Sequence, residues 1–213
     1  RGHKAVEAAN ERAARFTPLT MAASVDAGAA GPASVYSVPD AIERSGEVIH
    51  DHYNHPEEQM TLAGALAKSS NVGTLLAAEA LDTGTYHDYL SAFGIGRSVD
   101  LGLPAETRGS LAAEMSDLTR DNVSFGQGVA VNVVQMATAY ATIANGGVRL
   151  DPMLVAAELD ENGEPVSADP RPGTRVISED TADSVTDMME TVMGPDGTGS
   201  PAAVEGYRVA GKT

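Results

Sequence analysis

The fold of this chain is decided by one continuous stretch, 61-TLAGALAKSSNV-72. Residues 61–68 are rich in alanine and leucine, which favour a helix. The run stops at 69-SSN-71, three small polar residues whose side chains hydrogen-bond to the nearby backbone and favour tight turns. A second helical run covers residues 72–81. The pattern predicts two consecutive helices whose connection presents two hydroxyls and an amide.

A second group of polar residues stands near position 213. The β-type run 207-YRVA-210 leads to Lys212 and Thr213. With residues 69–71, these residues resemble two motifs of the penicillin-binding proteins, S-x-N and the first two residues of K-T-G. A similarity to the transpeptidase domain of a class B penicillin-binding protein of the cell-division type extends over residues 61–73, 100–104, 124–128, 138–147 and 206–213.

Helical runs dominate the middle of the chain and strand-like runs its last part, which favours an α+β fold. The resemblance implies the penicillin-binding and serine β-lactamase-like transpeptidase fold, with helices packed on an antiparallel sheet. Because K-T-G is one residue short, we expect this sheet to be incomplete at the C-terminus. Residues 1–213 are interpreted as a partial domain, with a mostly helical lobe at about 17–147 and strands plus the last helix at about 148–213.

The activity implied by the resemblance is acyl transfer between peptidoglycan stem peptides. A serine attacks the D-Ala-D-Ala carbonyl, D-Ala leaves, and the amine of a neighbouring stem resolves the acyl-enzyme into a cross-link. β-Lactam antibiotics mimic the dipeptide and stay attached. By resemblance, Ser69 relays a proton and Asn71 holds the substrate amide, while Lys212 and Thr213 bind the substrate carboxylate. The resemblance implies no cofactor and no metal.

The nucleophile motif of the family is not found in this sequence. A serine hydroxyl needs an adjacent base, which the family supplies as the lysine of S-x-x-K. None of the three lysines follows a serine by three positions. Ala14 stands where the serine belongs and Thr17 where the lysine belongs, and Arg12 and Ala13 replace a Pro-Gly turn. Natural degeneration, deliberate replacement and an error in this part of the sequence are three explanations that stay open.

Ala14 has no hydroxyl, so the sequence predicts neither cross-linking nor acylation by penicillin. Loss of the catalytic serine reduces turnover about a millionfold in a serine protease. Lys68 does not turn Ser69 into a substitute nucleophile, because adjacent helical residues do not face each other. The alternative function is a catalytically silent transpeptidase-fold scaffold that binds peptidoglycan or divisome proteins. A β-lactamase-like hydrolase is a weaker alternative, since it needs the same serine and also an acid that activates water.

Composition excludes several other classes of protein. A net charge of −16 argues against nucleic acid and against a polybasic membrane contact. The absence of cysteine excludes disulfides, thiolate zinc sites and a cysteine nucleophile. No apolar run approaches the roughly 18 residues of a membrane helix. By resemblance, we expect the domain at the extracytoplasmic face of the cell membrane, anchored by an N-terminal helix outside this chain and accompanied by divisome membrane proteins.

Capping and turn residues predict the remaining elements. Thr17 is expected to cap a helix with Pro18 in its first position and Gly28 after its end. Ser178 is expected to cap a helix that continues through Met193. Helical residues dominate 60–82 on both sides of the turn at 69–71, and other helices are predicted at 85–93, 111–115 and 131–145. Strands are predicted at 34–38, 46–52, 148–150, 153–159 and 207–213, with a hairpin turn at 160–163.

The segment 50-HDHYNH-55 gathers three of the five histidines. On a strand, His50 and His52 would share a face, which is an arrangement that binds metal ions. Clusters of this kind are more often exposed loop residues, and the family needs no metal. An exposed loop is therefore the favoured interpretation.

Overall fold

The computed structural model describes residues 4–9, 13–167 and 172–213. The α-helices in these ranges are α1 (Lys4–Glu7), α2 (Thr17–Asp26), α3 (Leu62–Lys68), α4 (Asn71–Ala78), α5 (Thr83–Ala92), α6 (Asp117–Ser124), α7 (Val133–Ala144) and α8 (Glu179–Val192). The strands are β1 (Val35–Val38), β2 (Ala41–Arg44), β3 (Glu47–His50), β4 (Glu58–Thr61), β5 (Val148–Arg149), β6 (Glu158–Leu159), β7 (Pro165–Ser167) and β8 (Thr174–Arg175). Among the described residues, no helix has the length and apolar character needed to cross a membrane.

The strands of the described ranges pair antiparallel in four separate two-stranded sheets. In β1 and β4, Tyr36 lies opposite Met60, and in β2 and β3, Ile42 lies opposite Ile49. β5 pairs with β8, and β6 pairs with β7 across the predicted hairpin turn at 160–163. Helices combined with antiparallel strands confirm the predicted α+β class.

One apolar core joins most of the helices. α2 is buried at every position from Thr17 to Ser24, and α8 packs against α2, α3 and α7. The members of this core include the buried side chains of Phe16, Leu19, Leu62, Leu66, Tyr86, Leu90, Phe93, Ile143, Val185, Met188 and Val192. Each such side chain contributes about 1.5–3 kcal/mol to the free energy of unfolding. The core therefore holds α3 in a fixed position, which matters for the site at the junction of α3 and α4.

The start of α2 differs from the prediction. Thr17 is not the N-cap, because Phe16 occupies that position and no side chain caps the helix. A 3₁₀ helix, Ala13–Phe16, runs directly into α2. The backbone at Thr17 is therefore already helical, and its side chain is buried instead of free to cap. The predicted end is confirmed, since Gly28 has a φ of +69° just after the helix.

Serine caps explain where other helices begin. The predicted break between two helices at 69–71 is confirmed, since α3 ends at Lys68 and Ser70 accepts the backbone N–H of Gly73 at the start of α4. The helix predicted at 111–115 is wrong, because these residues have no helical structure. The helix begins after them instead, as α6, which Ser116 caps. The predicted cap at Ser178 is confirmed by its bond from the N–H of Thr181.

The predicted strand at 207–213 is wrong. These residues have no regular secondary structure, because no strand of the described ranges lies beside them to complete a ladder. They nevertheless run close to α8, where Arg208 forms ion pairs with Asp187 and Glu190. The segment thus brings Lys212 to the junction of α3 and α4 without a strand.

Candidate active site

The junction of α3 and α4 has a backbone geometry that projects Ser69 outward. Ser69 ends α3 in the left-handed conformation, with a φ of +58°. A residue other than glycine in this conformation costs about 1–3 kcal/mol, and such strain concentrates at functional sites. The N–H of Ser70 donates to the Ala65 carbonyl at 2.9 Å, which fixes the turn. Ser69 is therefore held in place by its neighbours.

Lys212 contacts Ser69, although 143 positions separate the two residues in the sequence. Its Nζ donates to Ser69 Oγ at 2.7 Å and to the Thr213 carbonyl at 3.0 Å. Burial lowers the pKa of Lys212 to about 8. The pair thus places a hydroxyl and a readily deprotonated ammonium in direct contact, which suits proton transfer near neutral pH.

Thr213 lies in the same cluster. Its Oγ1 is 2.8 Å from Thr198 Oγ1 and 3.4 Å from Lys212 Nζ. Asn71 is directed elsewhere, because its Nδ2 donates to the His50 carbonyl at 2.9 Å. The structure therefore brings together three of the four predicted site residues, Ser69, Lys212 and Thr213. The amide of Asn71 is tied to strand β3.

The positions predicted for the nucleophile and its base carry no acid–base group. Ala14 is half-buried in the 3₁₀ helix before α2, and Thr17 is 3% exposed. Arg12 and the preceding Glu11 lie outside the described residues, as does the side chain of Ala13. A pocket of about 280 Å³ is lined by Arg15, Val133, Met136, Ala137, Tyr140 and Lys212. Arg15, which follows position 14, therefore lines the same cavity as Lys212.

The sequence analysis missed Asp51, which organises the start of α4. Its side chain is fully buried. One carboxylate oxygen accepts the Val72 N–H at 3.0 Å, and the other accepts the Ser70 hydroxyl at 2.6 Å. His55 Nε2 lies 3.2 Å from the same oxygen that Ser70 contacts. Nothing in the local sequence distinguishes Asp51 from the exposed polar residues around it.

His50 and His52 in the segment 50–55 do not form a metal-binding pair on one strand face. β3 ends at His50, so His50 and His52 do not share a strand face. Within residues 4–9, 13–167 and 172–213, no group of three or more His, Cys, Asp or Glu side chains is placed to hold a metal ion. The side chain of His55, in the same segment 50–55, is buried and only 3% exposed.

Comparisons with known proteins find relatives over most of this chain. The family model described as the penicillin binding protein transpeptidase domain matches residues 13–213. Penicillin-binding protein PbpB of Mycolicibacterium smegmatis is 38% identical over 204 residues, which cover 92% of this chain and 31% of that protein. Peptidoglycan D,D-transpeptidase FtsI of Escherichia coli is 38% identical over 171 residues, which cover 79% of this chain and 27% of that protein. The chain spans less than a third of the length of these relatives.

The solved structure of a penicillin-binding protein is also similar to this chain. Penicillin binding protein 3 from Mycobacterium tuberculosis, complexed with aztreonam, has a TM-score of 0.91 and 35% sequence identity. The match covers 98% of this chain and 48% of that chain. A structure of the same protein complexed with ampicillin matches equally well. Since the family model covers all but the first 12 residues, this chain belongs to the penicillin-binding protein transpeptidase domain family.

Proposed function

We propose that this protein is a peptidoglycan D,D-transpeptidase domain of the cell-division type, whose site binds stem peptides ending in D-Ala-D-Ala and β-lactams. The observation that carries the proposal is the contact of Lys212 Nζ with Ser69 Oγ at 2.7 Å, beside the Thr213 hydroxyl. A cation and two hydroxyls at one point suit a peptide that ends in a carboxylate. The relatives named as D,D-transpeptidases support the same class.

In the proposed reaction, which needs the serine and lysine of S-x-x-K at positions 14 and 17, the serine Oγ gives its proton to that lysine and attacks the carbonyl carbon of the penultimate D-Ala. The C–N bond to the terminal D-Ala breaks, and the leaving nitrogen takes a proton through Ser69 from Lys212. The amine of a second stem peptide then attacks the ester and loses a proton through Ser69 to Lys212, while the released serine Oγ takes its proton back from the S-x-x-K lysine. Thr213 and Lys212 hold the terminal carboxylate during the first step. The reaction places the domain outside the cytoplasm, with a membrane anchor and divisome proteins as its proposed partners.

A second candidate function follows from Ala14 and Thr17. A site with Ser69, Lys212 and Thr213 but no serine at position 14 binds a stem peptide without forming an acyl-enzyme. In this form the domain is a silent scaffold that recognises peptidoglycan. The two candidates share one binding site and differ in whether a covalent bond forms.

The experiment compares the parent chain with the double variant Ala14→Ser, Thr17→Lys, which recreates S-x-x-K. Each protein is incubated with benzylpenicillin and its intact mass is measured. The parent mass also tests the sequence itself against 21.9 kDa. We expect no adduct on the parent and one penicillin per chain on the double variant, since a lost catalytic serine costs about a millionfold in rate.

Ala14→Ser alone is the matched control and is expected to acylate far more slowly, because it lacks the base. A folded double variant that gains no adduct contradicts the transpeptidase proposal. For the scaffold candidate, equilibrium dialysis measures binding of a peptide ending in D-Ala-D-Ala to the parent. Loss of that binding in Lys212→Met supports the candidate, and no binding to the folded parent contradicts it.

A further inference from the structure

The buried histidine His55 lies beneath the start of α4. Its two ring nitrogens each face an oxygen: Nδ1 is 2.8 Å from the Pro56 carbonyl, and Nε2 is 3.2 Å from Asp51 Oδ2. The side chain of His55 is 3% exposed, although Pro56, whose carbonyl contacts Nδ1, is itself exposed. His55 is thus a buried titratable group that the proposed reaction does not use.

The nature of the two contacts sets the protonation state of the ring. A carbonyl oxygen only accepts hydrogen bonds, and an ionised carboxylate also only accepts. A neutral imidazole carries one N–H and cannot donate to both oxygens. Asp51 already accepts from the Ser70 hydroxyl and the Val72 N–H, which favours the ionised carboxylate. The geometry therefore favours an imidazolium that donates to Pro56 and Asp51.

The charged and titratable groups around His55 are consistent with this state. Burial alone lowers the pKa of His55, but the Pro56 carbonyl, Asp51 and the charge of Glu58 together raise it above its ordinary value. Glu58 is itself bound by Lys68, which neutralises part of its charge. The ring of Tyr53 packs against His55 with centroids 4.9 Å apart.

Asp51 connects His55 to the S-x-N residues. Its two oxygens hold Ser70 and the backbone of Val72, on either side of Asn71. The residue before Asp51 supplies the carbonyl that binds the Asn71 amide. Ser70 in turn fixes the turn at which Ser69 projects toward Lys212. Asp51 is therefore the shared support for the segment 69–71.

We propose that His55, as an imidazolium, is a positioning residue that holds Asp51 and through it the segment Ser69–Asn71 for the acyl-transfer reaction. This inference rests on the proposed function for its catalytic consequence, but the positioning itself is independent of it. His55 touches neither the substrate site nor Lys212. At a pH above the pKa of His55, one hydrogen bond is lost and the segment is held less firmly.

The first test is nuclear magnetic resonance of the parent chain, with histidine side-chain and backbone amide signals followed from pH 5 to 9. We expect both ring nitrogens of His55 to carry protons at pH 6, with a midpoint above about 6.5. The amide signals of Ser70, Val72 and Gly73 should shift with the same midpoint. In His55→Gln these amide shifts should disappear, whereas in His87→Gln, a control on α5, they should persist.

Asp51→Asn is the second variant if His55→Gln does not fold; it should lower the midpoint of His55 and uncouple the three amides from it. A His55 ring with a single proton at pH 6, or amides that do not follow it, overturns the positioning role. The catalytic consequence is tested in the Ala14→Ser, Thr17→Lys background. There, the rate of penicillin acylation should fall at least fivefold on adding His55→Gln, and its pH profile should lose one step.

The outcomes separate the two proposals. If Ala14→Ser, Thr17→Lys does not acylate while the amides still follow His55, the proposed function fails and the positioning stands. If that variant acylates with a pH profile that His55→Gln leaves unchanged, the proposed function stands and the catalytic role of His55 is overturned.

Discussion

The two helices that border the site begin in opposite ways. α4 starts with two side-chain acceptors, because the Ser70 side chain accepts from Gly73 and Asp51 accepts from Val72. α2 starts without any side-chain cap, directly from a 3₁₀ helix. An uncapped start typically costs about 1 kcal/mol relative to a capped one. The start of α4 is held by hydrogen bonds, and the start of α2 must be held by something else.

α2 is held in place by contacts of its central residues and not by contacts of its first turn. Thr20 Oγ1 accepts from the Tyr86 hydroxyl at 2.7 Å and donates to the Ser124 carbonyl at 2.7 Å. Leu19 is fully buried beside it. The difference teaches that α2 is placed without a side-chain cap at its first turn. A chain of this family can therefore lack S-x-x-K and keep the fold around it.

The largest expected effect comes from crowding the capped start of α4 with Gly73→Ala. A Cβ at Gly73 would lie 2.7 Å from the Cβ of Ala65 in α3, closer than two carbon atoms approach without displacement. Overpacking of this kind costs about 1–3 kcal/mol. We expect the free energy of unfolding, measured with urea, to fall by that amount.

Gly64→Ala is the matched control for this prediction. Its Cβ would meet only the Thr61 hydroxyl, at 3.2 Å, and alanine favours a helix by about 1 kcal/mol over glycine. The stability of this variant should stay within about 1 kcal/mol of the parent. Equal stability losses in both variants would mean that the close approach of α3 and α4 is not what fixes the site.

A smaller effect is expected from Tyr86→Phe, which removes a polar contact from the body of α2. Tyr86 is fully buried, and its hydroxyl donates to Thr20. Losing one buried hydrogen bond between neutral groups costs about 0.5–1.5 kcal/mol. Thermal and urea unfolding should both show a loss in this range.

Thr20→Val sharpens the same prediction. It leaves two buried groups without a partner, the Tyr86 hydroxyl and the Ser124 carbonyl. We therefore expect a larger loss than in Tyr86→Phe, because an unpaired buried polar group costs its full desolvation. If both variants match the parent, α2 is held by apolar packing alone, and the hydrogen bonds add nothing.

The sequence predicted those features that depend on local chemistry. The cap at Ser178, the turn at 160–163 and the end of α2 at Gly28 each follow from one residue type in one conformation. The cluster of Ser69 with Lys212 was predicted only through the resemblance to a family, since 143 positions separate the two residues. No local pattern could have joined them.

The errors concern features that depend on distant partners. Asp51 looks like an exposed aspartate until β3 places it under α4, where it is buried. Thr17 has the residue type of a cap, but the core against Phe16 buries it. Residues 207–213 have the composition of a strand but lack a neighbouring strand in the described ranges. In each case tertiary contacts decided between local alternatives.

The smallest expected effect is the contribution of Lys212 to the pH dependence of stability. Its pKa is about 8 in the folded chain, against an ordinary value of about 10.4 in the unfolded chain. Between these values the unfolded chain binds more protons, so the free energy of unfolding rises as the pH increases. Lys212 is partly exposed, and solvent screening keeps the change small.

The variants Lys212→Met and Lys68→Met test the direction in which each lysine changes the free energy of unfolding as the pH rises. Lys68 has a raised pKa because Glu58 accepts its hydrogen bond, so its stabilising contribution is lost as the pH rises through that pKa. Urea unfolding should show the parent gaining stability relative to Lys212→Met from pH 7.5 to 10.5, and losing stability relative to Lys68→Met only as the pH rises above about 10.5. If the parent and Lys212→Met have parallel curves, the ammonium beside Ser69 is as well hydrated as in the unfolded chain. The site would then have no means of lowering the pKa of its proton donor.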